Sequence, residues 1–249
     1  MMTDLKNNKI LPSLLASLLL ATACNMEVGN PDTGDAPASL LHSVQLKLTP
    51  YDTCSQSKAP CNSVPVSTGS ASVYLRYELT SATFAVAGVT PRPAPEQLMG
   101  VSADLFSDPT LALPSPLIAA NITDLELHFV APAAGNESWQ IDGSLVGTIN
   151  GARVALRLPL AGSGEITGSV AMPETGLEAI WFDAAAWFDW SGDPALSQVS
   201  KILESGACRA TDSLQCGQLS AVLSKLVEKR ISSSLRATGQ PKEIKKTQK

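Results

Sequence analysis

Apolar and polar side chains alternate with a period of two along most of this chain. Val44, Leu46 and Leu48 fall on one face and Gln45 and Lys47 on the other, which is the pattern of a half-buried strand. The same period recurs at Val73, Leu75, Tyr77 and Leu79 and at Leu125, Leu127 and Phe129. It returns at Val154, Leu156, Leu158 and Leu160, with Arg153 and Arg157 facing outward. Less regular alternation marks Thr83 to Val89, Met99 to Phe106, Trp139 to Ile149, Glu165 to Val170 and Leu177 to Asp183. Turn signals such as Asn150-Gly151 separate the runs. Each strand has one apolar face that a second sheet must cover. The pattern therefore predicts a mainly β fold over residues 41–191, an antiparallel β-sandwich of the Ig/transthyretin-like kind with about eight or nine strands.

Past Trp190 the period lengthens to that of a helix. Asp193 and Pro194 supply a helix start ahead of Leu196, Val199, Ile202 and Leu203. A second helix begins near Ser213 or Gly217. Its apolar residues Leu219, Val222, Leu223, Leu226, Val227 and Ile231 recur at spacings of three and four, so one stripe can pack on the sandwich. The helical segment is expected to cover residues 192–238. Gly239 and Pro241 end it, and residues 239–249 read as a disordered basic tail.

The other end of the chain reads as an export signal. Lys6 and Lys9 precede an apolar run from Ile10 to Leu20 that is too short to span a bilayer, and small residues follow it. Leu20-Ala21-Thr22-Ala23-Cys24 resembles a bacterial lipoprotein signal, in which the Cys becomes the acylated first residue. Ala21 stands where such signals usually carry Leu, and an ordinary signal peptidase would cut the same bond after Ala23. Residues 1–23 are thus the signal peptide, and 24–40 are a lipidated Cys with a Gly/Pro/Asp-rich tether. Fifteen such residues reach at most roughly 50 Å when stretched.

Cysteine counting separates these two readings of the leader. The five cysteines are Cys24, Cys54, Cys61, Cys208 and Cys216. An odd thiol is a liability in an oxidising compartment, and acylation of Cys24 removes it. The other four fall into two local pairs, Cys54 with Cys61 and Cys208 with Cys216, although four cysteines allow three connectivities. No Cys-x-x-Cys spacing occurs and both histidines lie far from the pairs, which argues for disulfides over zinc.

Composition and charge narrow the function classes. The 249 residues are 44% hydrophobic and 16% charged, which excludes disorder throughout, and the net charge of -5 argues against a nucleic-acid partner. The acidity is unevenly placed. Residues 24–224 carry eight Lys and Arg against twenty Asp and Glu, whereas residues 225–249 carry eight against two.

Candidate chemistry is sparse. His42 and His128 are the only histidines, and His128 sits beside Asp124 and Glu126 on the outer face of a strand, where a solvated surface histidine is expected. No nucleophile elbow, phosphate loop, zinc helix or dinucleotide fingerprint occurs, so no cofactor or metal is expected and an enzyme is disfavoured. The densest stretch runs from Trp181 to Trp190 and holds three of the four tryptophans. Trp181, Trp187 and Trp190 with Asp183 and Asp189 are the candidate ligand-binding residues, because aromatics offer large contact area at low entropy cost. The same aromatics would also serve as a final core strand and helical turn beneath the C-terminal helices, and that reading is favoured.

The order of elements resembles a group of bacterial β-sandwich lipoproteins related to the DUF4382 type of domain. Val101-Ser102-Ala103-Asp104-Leu105-Phe106 is similar to their strand ending in Asp-Leu-Leu, and Ile122-Thr123-Asp124-Leu125-Glu126-Leu127 to the strand that follows. Ser144-Leu145-Val146-Gly147-Thr148 resembles their Leu-x-Gly-Thr segment, and Trp181-Phe182-Asp183 with Ala186-Trp187-Phe188 their closing motif. Residues 227–234 resemble their terminal helix. The likeness spans residues 40–236 and departs at the Cys208–Cys216 insertion and at the proline-rich loop 91–95. It implies the fold and no activity, since the group has none assigned. The expectation is a lipid-anchored protein of the bacterial cell envelope, at the outer membrane and periplasmic or surface-exposed, acting as a non-enzymatic binding or structural module. Its partners would be the membrane, through the anchor, and an envelope protein or glycan. The alternative is a secreted carbohydrate-active or other hydrolytic enzyme using carboxylates such as Glu178 and Asp183 within 178–190.

Overall fold

The structure is a computed structural model that describes residues 40–54, 60–205, 208 and 214–239. The expected signal peptide 1–23, the expected acylation site Cys24, the expected tether up to residue 39 and the expected tail from residue 240 onward lie outside the described residues. Twelve strands form among the described residues: β1 (Leu40–Leu48), β2 (Asn62–Val66), β3 (Val73–Arg92), β4 (Gln97–Asp104), β5 (Thr110–Ile118), β6 (Asp124–Phe129), β7 (Trp139–Ile149), β8 (Ala152–Arg157), β9 (Leu160–Gly162), β10 (Ile166–Ala171), β11 (Leu177–Phe182) and β12 (Leu235–Gly239). Three α-helices accompany them, α1 (Ala184–Trp187), α2 (Leu196–Glu204) and α3 (Leu214–Ile231), with two short 3-10 turns at Ala119–Asn121 and Ser232–Ser234.

The protein is mainly β, with its strands in two sheets. The larger sheet runs β10-β6-β3-β7-β8, with β2 and β4 also on β3 and β9 also on β7. Its spine is β3, a single strand of 20 residues. The polar Thr80-Ser81 step does not divide it into two strands, because a register shift there absorbs the break. The smaller sheet runs β12-β11-β1-β5. In it β1 lies parallel to β11, with Leu46 opposite Ile180, whereas every other strand-to-strand pairing is antiparallel. The expected all-antiparallel arrangement is corrected at this point. The two strands are distant in sequence, and no tight turn constrains their relative direction.

Three strands were not foreseen, and each has a physical reason. Pro65 sits inside β2 and Pro114 and Pro116 inside β5, and proline ordinarily argues against a strand. In β2, Pro65 shares with Ser63 the side turned away from β3, where Ser63 bridges Asp52 and Pro65 needs to make no bond, and the two prolines of β5 fall in the register break between Leu41↔Leu117 and Ser43↔Ala112. The third is β12. In the helical segment expected over 192–238, α3 ends at Ile231 and a 3-10 turn follows over Ser232–Ser234, after which residues 235–239 return to the small sheet with Trp181 opposite Arg236. The run from Val154 to Leu160 also divides into β8 and β9 at Pro159.

The hairpin between β7 and β8 follows its sequence signal. Asn150 and Gly151 both adopt positive φ, 49° and 79°, as a two-residue turn with right-handed strand twist requires. Gly147, four residues before the end of that turn, has φ +139°, and a Cβ there would collide with the backbone oxygen of Tyr74.

One core lies between the sheets. Phe84 of β3 stacks on Phe182 of β11 with ring centroids 4.7 Å apart, which joins the large sheet to the small one. Phe129 and Trp187 approach both rings from the sides, and Tyr77 stacks on Phe188 at 4.6 Å. All six side chains are fully buried. Where the two sheets' edges approach, the Gln97 side-chain amide of β4 donates to the Ser115 carbonyl of β5 and its oxygen accepts from the Ser115 N–H. Both local disulfides form, Cys54–Cys61 and Cys208–Cys216.

The substitution Phe84→Ala removes the ring shared by these contacts. It should destabilise the protein by about 3–5 kcal/mol, read as a lowered urea midpoint with an unchanged m-value.

Candidate functional site

The five residues singled out in the aromatic stretch do not converge on one surface. β11 carries the segment into the core, and its end turns into the short helix α1. Asp183 caps that helix, accepting the Ala185 N–H at 3.1 Å. This turn points Trp187 inward. Its indole Nε1 donates to the hydroxyl of Ser234 at 2.8 Å, and that hydroxyl donates to the Ile231 carbonyl. Trp190 is equally buried and donates to the Trp187 carbonyl at 3.1 Å. Trp187 and Trp190 therefore belong to the core and offer no face to a ligand. A ring with two faces in van der Waals contact stabilises the fold at the expense of any stacking function.

Trp181 lines a surface hollow of about 440 Å³, and Asp183 is tied to that hollow only through its bond with Tyr51. Trp181 is half-buried on β11. Its Nε1 donates to the Thr238 hydroxyl of β12, and the Lys47 ammonium of β1 stands 5.4 Å from its ring centroid. Phe106, Leu48 and Tyr51 supply the rest of an apolar lining. Tyr51 donates its hydroxyl hydrogen to Asp183 Oδ1 at 2.5 Å, and its oxygen accepts from the Ala185 N–H. Burial, then the hydrogen bond and negative charge of Asp183, push the Tyr51 phenol up to about 12, so it stays protonated at neutral pH. A carboxylate engaged as a helix cap and as the acceptor of a protonated phenol is occupied structurally. Tyr51 and Lys47 were not singled out in the sequence. No local signal could have found them, because Tyr51 meets Asp183 across 132 residues.

The remaining candidates are dispersed. Asp189 is exposed and accepts from the Ser191 hydroxyl and N–H, a local turn whose hydroxyl bond holds the carboxyl below its usual range. Asp193 accepts the Ala195 N–H, which lowers its pKa, and lies 3.5 Å from Arg230. Glu178 is exposed on β11. His128 departs from the solvated histidine expected. It is half-buried, with Nε2 3.1 Å from the Thr90 hydroxyl and 3.1 Å from Glu126, whose other oxygen accepts from Arg92 at 3.0 Å. Among the described residues no group of three or more His, Cys, Asp or Glu side chains is placed to hold a metal ion, and no helix is long and apolar enough to cross a membrane.

No family model, curated protein or solved structure matches this chain.

The Tyr51–Asp183 bond has a pH signature. The folded-state phenol titrates above the unfolded value near 10, so its contribution is full below pH 10 and is lost as pH rises towards 12. Tyr51→Phe should cost about 1 kcal/mol in urea unfolding at pH 7, and its deficit against the parent should shrink between pH 10 and 12.

Proposed function

We propose that this chain is a lipoprotein of the bacterial cell envelope, anchored through acylated Cys24, whose folded part is a non-enzymatic binding or structural module. The single observation that carries the reading is the cysteine pairing. With Cys54 bound to Cys61 and Cys208 to Cys216, Cys24 is the one cysteine of five left over, and it stands at the end of an export signal. Two disulfides fit an oxidising compartment, and acylation is the chemistry that consumes a lone thiol at that place.

In this reading the two sheets are the halves of an Ig/transthyretin-like sandwich, with the C-terminal helices packed on it, and the chain is a relative of the DUF4382-type lipoproteins. The interface of Phe84 and Phe182 between sheets supports the sandwich. The acidic body, held off the membrane by a proline- and glycine-rich tether, suits work at the outer membrane, in the periplasm or at the surface, on a protein or glycan partner. Burial of Trp187 and Trp190 and the structural engagement of Asp183 weigh against the hydrolase reading of 178–190.

Expression of the full chain in a bacterial host with radiolabelled palmitate tests the anchor. The parent should incorporate label and sediment with membranes, and Cys24→Ser should lose both. A mature protein with an unmodified Cys24 amino terminus overturns the proposal. Capture from envelope extracts tests the binding role, which fails if the parent retains no specific protein or glycan.

A further inference from the structure

The outer edge of β8 differs from every other stretch of the ladder it belongs to. β8 and β9 run in one register along β7, and the two-residue turn at Asn150-Gly151 sets the phase of their hydrogen bonds. Ala152, Val154 and Leu156 turn their backbone groups inward to β7, as the bond from Leu158 N–H to the Gly143 carbonyl further along confirms. Residues 153, 155, 157, 159 and 161 accordingly turn theirs outward. α3 covers the far end of that row. The Ser220 hydroxyl donates to the Pro159 carbonyl at 2.6 Å, and the Ser224 hydroxyl accepts from the Ala161 N–H at 3.1 Å. At Arg153, Ala155 and Arg157 no described residue pairs with the row, and all three residues are exposed.

The side chains along the open part repeat the message. Six arginines lie among the described residues. Arg76 pairs with Asp52, Arg92 with Glu126 and Arg230 with Asp193, while Arg236 donates to backbone carbonyls. Among the described residues Arg153 and Arg157 alone of the six find no hydrogen-bond or ion-pair partner. They stand two residues to either side of the midpoint Ala155, on one face, in a body whose residues 24–224 are strongly acidic. A groove of about 430 Å³ runs beside them, bounded on its other side by Leu203, Glu204 and Cys208.

We propose that the free edge of β8 is a strand-addition site for an extended acidic segment of a partner protein. Unpaired backbone donors and acceptors select a polypeptide over a phosphate polymer or a lipid headgroup, because only a polypeptide returns the alternating N–H and C=O groups. The unpaired guanidinium groups select acidic side chains. In an antiparallel addition the residues opposite Arg153 and Arg157 are four apart and share the outer face, so the segment carries Asp or Glu at i and i+4. Positions i+1 and i+3 turn towards the groove beside Leu203 and Cys208 and are small and apolar. This names the partner class for the binding role proposed above and rests on that reading. The envelope capture tests the role by itself, so a failed edge and a failed role are distinguishable.

The test is fluorescence anisotropy of the purified full chain with a labelled peptide of alternating Glu and Val, set against one of alternating Lys and Val, with hydrogen exchange on the complex. The Glu peptide should bind and the Lys peptide should not. The double substitution Arg153→Ala with Arg157→Ala should weaken binding about tenfold or more, and exchange should slow at the amides of Arg153, Ala155 and Arg157. The proposal is overturned by equal binding of the two peptides, or by polyphosphate competing with the Glu peptide while those amides stay unprotected. It is equally overturned if the parent ignores the peptide and the double variant self-associates, since the arginines would then only keep edges apart.

Discussion

The stack of Phe84 on Phe182 is the contact on which the rest of the protein depends. It joins two sheets whose strands are drawn from interleaved parts of the chain, β3 from the first half and β11 from the second. Burying large rings between sheets is a strong apolar term for a chain with only 5% aromatic residues, and seven of its twelve aromatic rings meet at this interface or beside it. The consequence reaches the surface. A segment with three tryptophans in ten residues leaves only Trp181 half-exposed, because α1 turns Trp187 towards Ser234 just before β12, and Trp190 follows it into the core with its N–H bonded to the Ser67 carbonyl.

Closing the core leaves edges, and the edges explain several sequence features that otherwise read as irregular. The prolines of β2 and β5 stand at positions that need no ladder hydrogen bond, Pro65 facing away from β3 and Pro114 and Pro116 in a register break. Gln97 lends its side-chain amide to Ser115 as a substitute for backbone pairing between the two sheets. Serines of α3 satisfy the outward groups of β9 and its approach. Against this background the backbone of β8, flanked by two arginines with no acceptor among the described residues, stands apart from the edges closed in these ways.

Legibility followed the range of the interactions. The regular strands at Val44, Val73 and Leu125 were readable because a period of two is written in consecutive residues, and the Asn150-Gly151 turn because only such residues accept two positive φ angles. β12 was not, because Leu235 to Gly239 follows a helix directly and becomes a strand only by pairing with β11. The same applies to Tyr51. Its phenol sits beyond the end of β1 with no pattern around it, and its role exists only because Asp183 arrives from 132 residues away. His128 was correctly placed on an outer face, yet its partners Thr90 and Glu126 depend on β3 and β6 lying side by side.

The residues by themselves determined the mainly β class, the preference for two local cysteine pairs and the helices after Trp190, since each rests on neighbours within a few positions. Only the tertiary structure decided which tryptophans are core, that β1 and β11 run parallel, that Asp183 is a cap bonded to Tyr51, and which half of the β8–β9 edge α3 covers. Those outcomes arise from contacts between segments far apart in the chain, where burial and hydrogen-bond satisfaction are set by what folds alongside and not by what comes next.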